Sequence, residues 1–160
     1  MFIAACLFCS CATQKGCMAS KTPEPPFVDQ IPVAEFVEAA RRDSIDVHLY
    51  VYTADNLYLF SETPVEVYEP GDSAFIFDES IYKLNPVSLI FPLIVRIKVP
   101  ESMNPGETHQ ILLPMRLFYK HKGNNTMRTR TGLVKIPVRI VENKTDRRRT
   151  RHFMVEYELE

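Results

Sequence analysis

Tryptophan is absent from this chain, glycine occurs only five times in 160 residues, and no cysteine follows Cys17. The missing thiols exclude a disulfide inside the body of the protein. A body of about 130 residues must therefore stand on its own apolar core, which a chain of that size can bury. Without tryptophan, a sugar-stacking surface would have to be built from tyrosine or phenylalanine. No apolar run reaches the roughly 20 residues that a membrane-crossing helix needs. There is no His-Glu-x-x-His, no Gly-x-Ser-x-Gly and no phosphate-cradling glycine loop. None of His48, His109, His121 and His152 has a second histidine or a carboxylate at the spacing of a ligand motif. Adjacent acids such as Asp78 and Glu79 come without a matching base. The expectation is a protein that is not an enzyme and that needs no metal or cofactor.

What is present begins at the N-terminus. All four cysteines, Cys6, Cys9, Cys11 and Cys17, follow or interrupt the apolar run 2–9. A secretory signal needs such a run followed by small residues near the cut. Four close thiols can also hold zinc or an iron–sulfur cluster, but structural zinc sites pair two knuckles across a longer spacer of folded chain. Ser10-Cys11-Ala12-Thr13 resembles the lipobox of bacterial lipoproteins, in which a small residue precedes the cysteine that becomes the lipidated N-terminus. The resemblance implies a signal segment over 1–10, acylation of Cys11, and a location in the cell envelope on the outer membrane, facing the periplasm or the surface. Asp43-Ser44-Ile45 and Asp72-Ser73-Ala74 resemble the short sites at which Bacteroidota glycosylate exported proteins. Residues 11–30, with Pro23, Pro25 and Pro26, are expected to form an extended tether between lipid and body.

The net charge of −1 conceals an asymmetry. Residues 1–80 hold 4 Lys/Arg against 13 Asp/Glu, and residues 81–160 hold 15 against 7. Either the halves neutralise each other within one fold, or one end of the molecule is basic and meets an acidic partner. Nucleic acid does not suit an exported chain.

Hydrophobic periodicity organises the rest as a single domain over 31–160. Val33, Phe36, Val37 and Ala40 recur at helical spacing after Pro32, which predicts one short N-terminal helix over 31–42. From residue 44 the period becomes two. Strands are predicted over 45–51, 57–60, 64–68, 74–77, 88–99, 109–120, 131–142 and 151–160. Glu69-Pro70-Gly71-Asp72 and Asn104-Pro105-Gly106-Glu107 predict type II turns with glycine at positive φ. Pro92, Pro114 and Pro137 interrupt strand patterns and should lie at edges or bulges. The expected fold is all-β: an antiparallel β-sandwich of immunoglobulin-like or transthyretin-like kind, with seven or eight strands.

Two surfaces are candidates for binding. One is the strand face carrying His48, Tyr50 and Tyr52, where tyrosines could stack on sugars. The other is the basic loop with Arg147, Arg148 and Arg149, suited to acidic lipid headgroups or a partner. In overall organisation the chain is similar to the small sandwich lipoproteins that serve bacteria as accessory parts of secretion machines and other envelope assemblies. That similarity implies a non-catalytic assembly module with a protein partner. The competing reading is a glycan- or peptidoglycan-binding lipoprotein.

Overall fold

The computed structural model describes residues 29–33, 35–59, 65–78, 93–145 and 147–160. The expected signal segment, Cys11 and most of the expected tether lie outside the described residues, as do residues 88–92, with Pro92, of the predicted strand 88–99. Among the described residues the chain is all-β, with ten strands and no helix. These are β1 (Asp29–Pro32), β2 (Val37–Ala40), β3 (Ser44–Thr53), β4 (Leu57–Leu59), β5 (Val65–Val67), β6 (Ile76–Phe77), β7 (Leu93–Lys98), β8 (Thr108–His121), β9 (Arg128–Val141) and β10 (Thr150–Leu159).

The strands form two mixed sheets. In the larger one, β8 and β9 make a hairpin of two 14-residue strands. β1 and β2 lie end to end along the outer side of β9, and β5 and β4 along the outer side of β8. The second sheet has the order β10-β3-β7-β6. Period-two alternation decides which side chains are buried. Ile45, Val47 and Leu49 of β3 join Ile111, Leu113, Met115 and Leu117 of β8 and Val134, Ile136, Val138 and Ile140 of β9 in one buried cluster. Each fully buried Ile or Leu in it contributes about 1.5–3 kcal/mol. No helix among the described residues is long and apolar enough to cross a membrane.

Two expectations are corrected. The helix over 31–42 is instead β1 and β2, paired parallel with β9 at Asp29↔Gly132 and Val37↔Val138. An isolated 12-residue helix is marginal in water, whereas β9 offers an open row of backbone groups. Val33 N–H, for example, donates to Lys135 O at 3.0 Å. The helical spacing of Phe36 was accidental: its side chain is half exposed, under the Arg139 guanidinium at 5.1 Å. β1 also begins inside the segment expected to be tether. The second correction concerns direction. β3 and β10 pair parallel, as do β1 and β2 with β9, so the sheets are not purely antiparallel. Alternation reports which face is buried and carries no information about strand direction.

Pro114 and Pro137 lie within the central β8–β9 hairpin and not on edge strands or at bulges of its register, and each has a backbone reason for its place. Pro137 falls in the break on β9 between Lys135, where β1 stops pairing, and Val138, where β2 starts. Pro114 sits where β5 stops pairing with β8, and its carbonyl still accepts from Tyr68 N–H at 2.9 Å. Asn104–Glu107 is a turn closed by Glu107 N–H to Asn104 O, with Gly106 at φ 92. Gly71 does not take a positive φ, and nothing in its surroundings explains a glycine there.

The charge asymmetry closes in part within the fold. Acids of the first half pair with bases of the second: Asp46 with Arg96, Asp29 with Arg130, Asp78 with Lys98, Glu38 with Arg139, and Asp43 with Arg151. Asp43 is also a junction of the backbone. Its Oδ2 accepts from Ala40 N–H at 3.0 Å and its Oδ1 from Arg149 N–H at 2.9 Å. Its carbonyl accepts from Val99 N–H at 2.9 Å. One buried carboxylate thus ties the β2–β3 turn to the entry of β10.

Candidate functional site

Even-numbered residues of β3 and β10 point away from the shared core, and the parallel register aligns them: Asp46 opposite His152, His48 opposite Met154, Tyr50 opposite Glu156, and Tyr52 opposite Glu158. Arg96 joins them from β7, opposite Asp46. The outer face of the second sheet therefore carries one compact polar cluster. Arg96 grips Asp46 with two hydrogen bonds, Nε to Oδ1 at 2.7 Å and Nη2 to Oδ2 at 2.8 Å. This bidentate geometry is the strong form of the pair. It holds the Asp46 carboxyl below its ordinary value of 3.8, against the opposing effect of burial. His48 Nε2 lies 3.2 Å from His152 Nδ1, the rings meeting edge to face with centroids 5.4 Å apart. Met154 beside them is 60% exposed, the most exposed large apolar side chain described.

β10 is also an edge strand. Its inner neighbour is β3, and among the described residues nothing pairs with its other side. Arg149 O and Leu159 O accept from Ser44 and Ala54 of the β3 side, so odd-numbered residues direct their backbone groups at β3. The N–H and C=O groups of residues 150, 152, 154, 156 and 158 then face outward. Only at the C-terminal end is this edge engaged. There Arg130 Nη1 donates to Glu160 O, and the hydroxyl of Tyr157 donates to Asp29 Oδ2 at 2.5 Å. Burial, and then that bond to Asp29, raise the Tyr157 pKa.

The sequence candidates do not converge. His48 belongs to the cluster. Tyr50 is half-buried and Tyr52 is 49% exposed, and both lie beyond the end of the β3–β7 pairing. Arg147, Arg148 and Arg149 stand at the other end of β3, roughly 26 Å from Tyr52 at strand rise. Their loop is pinned by Asp43 and by Arg149 Nη2 to Thr145 Oγ1 at 2.9 Å. A second basic stretch, Lys120, Lys122, Arg128 and Arg130, lies at the opposite end of β9. Cys11 is outside the described residues.

Two pockets lie elsewhere. One, about 440 Å³, is lined by Arg41, Arg42, Glu101 and Glu142, and the other, about 310 Å³, by Asp72, Ser73, His109 and Gln110. Neither contains His48 or the tyrosines. Among the described residues no group of three or more His, Cys, Asp or Glu is placed to hold a metal ion.

Asp46, Arg96, His152 and Met154 were missed in the sequence. Alternation did put His152 and Met154 on the outward face of the last strand, but not which strand lay beside it. No family model matches the chain, and no curated protein matches it.

Proposed function

We propose that this chain is a β-sandwich lipoprotein of the bacterial cell envelope, anchored through Cys11, and that it works as a non-catalytic assembly module, an accessory part of a larger envelope complex. The observation that carries the reading is the outward edge of β10, a ten-residue strand whose outer side pairs with nothing among the described residues. An unprotected edge of this length is a template for a partner strand, and soluble proteins usually blunt such edges. The side chains around it suit a protein contact: exposed Met154 and Tyr52 supply apolar area, and Glu156 and Glu158 supply charge.

The test uses proline on the edge. Glu156→Pro removes an outward N–H and leaves the β3 ladder whole, since proline is tolerated where the N–H faces out. Full-length Glu156→Pro, extracted from native membranes, is expected to keep its thermal midpoint within about 4 °C and to sediment as a single chain where the parent sediments as a complex. An unchanged complex would overturn the edge as the docking element. Cys11→Ser is expected to lose fatty-acid labelling and membrane association; retained labelling would overturn the anchor.

A further inference from the structure

His48 and His152 are 104 residues apart in the chain and 3.2 Å apart at their facing ring nitrogens. We propose that these two histidines, with Met154 beside them, bind one copper ion on the outer face of the four-stranded sheet. The distance is the first argument. Two imidazole nitrogens on one ion at about 2.0–2.1 Å stand about 2.9 Å apart at a right angle and about 3.4 Å apart at the tetrahedral angle. The observed spacing lies between these limits, so an ion enters without moving either strand. Without the ion, one ring donates an N–H to the other. On binding, that proton moves to the second nitrogen of its own ring, both facing nitrogens offer lone pairs, and the protein's charge is unchanged.

The third donor decides the metal. Met154 pairs with His48 in register and follows His152 by two positions on the same face. A long thioether left 60% exposed among polar neighbours has no packing role. Asp46, the carboxylate opposite His152, is already held through both oxygens by Arg96. Two imidazoles and a soft sulfur disfavour magnesium and calcium and select copper, above all Cu(I). The site lies on the sheet's flat face and its remaining coordination positions are open to solvent. The inference does not depend on the anchor or on edge pairing.

The experiment uses the protein in detergent, with its free thiols blocked by N-ethylmaleimide so that cysteine sulfur takes up no metal. Titration with Cu(II), followed by electron paramagnetic resonance, is expected to saturate at one equivalent with a two-nitrogen hyperfine pattern. His48→Gln and His152→Gln should each weaken binding at least about tenfold. Met154→Leu should leave Cu(II) affinity within about threefold and weaken Cu(I), measured against a chromophoric chelator, at least about tenfold. In the parent protein Cu(II) should broaden the His48 and His152 ring signals before any other histidine's, a readout that needs no variant to fold. Unchanged binding in both histidine variants, broadening centred on His109 or His121, or Cu(I) affinity indifferent to Met154 would overturn the assignment.

Discussion

Asp43 and Asp46 are three residues apart and both are buried, at 1% and 4% exposure, yet they hold different kinds of structure. Asp43 spends its oxygens on backbone amides of Ala40 and Arg149. Asp46 spends its oxygens on one side chain, Arg96, with His48 and His152 close by. The turn end of the molecule is thus organised through main-chain amides, and the outer sheet face through contacts between side chains. A buried acid by itself says little about function; what its oxygens accept from separates a structural junction from a surface able to act.

The sharpest way to break this comparison is Asp43→Ala. It leaves two inward amides without their acceptor, each costing about 1–3 kcal/mol, so a loss of roughly 2–5 kcal/mol is expected in urea unfolding. Asp43→Asn keeps one acceptor oxygen and should lose less. If Asp43→Ala costs under about 1 kcal/mol, water has replaced the carboxylate and the junction is not structural.

Asp46→Asn comes next, at about 1–2 kcal/mol at neutral pH, since Arg96 is partly exposed and its pairing is screened. Its pH dependence is more telling. A carboxyl whose pKa is lowered by folding stabilises the protein above its unfolded value and loses that contribution as pH falls through the folded value. For Asp46 the loss lies below its ordinary value of 3.8. Glu107 acts in the same direction: Asn104 and then His109 hydrogen-bond its carboxylate and lower it to about 2. Stability of the parent should therefore fall from about pH 4.5 toward pH 2. Asp46→Asn should flatten part of that fall, and Glu107→Gln a further part. An acid limb with the parent's slope in Asp46→Asn would mean that Arg96 does not hold the charge.

The long strands and their buried faces were legible in the sequence, because alternation is a local signal. Residues 109–120, 131–142 and 151–160 match β8, β9 and β10 to within a few residues. The pairing of β10 with β3 was not legible, because neither strand encodes its neighbour, and the histidine pair exists only through that pairing. The helical reading of 31–42 failed for a related reason: over a dozen residues, apolar spacing at three and four is weaker than the open edge of β9. Of the candidate site, His48 was found and its partners were not. Tyr50 and Tyr52 were placed on the correct face but far from the arginine loop.

The smallest effect concerns the residue that leads into Asp43. Arg42 has φ 66, the only positive value outside glycine among the described residues. Its N–H donates to Val99 O at 3.0 Å, a bond that any replacement except proline retains. The left-handed conformation costs a residue with a Cβ about 1–2 kcal/mol relative to glycine. Glycine returns roughly 0.5–1 kcal/mol of that through unfolded-chain entropy. The Arg42–Glu101 ion pair is exposed on both sides, so its loss costs well under about 1 kcal/mol. Arg42→Gly should accordingly lie within about 0.5 kcal/mol of the parent. Arg42→Ala loses the same ion pair and keeps the strain, so the glycine variant should be the more stable of the two by about 0.5–1 kcal/mol, or about 2–5 °C in thermal midpoint. Were alanine the more stable, the positive φ at Arg42 would impose no net strain on a residue with a Cβ, and chain conformation would not govern this turn.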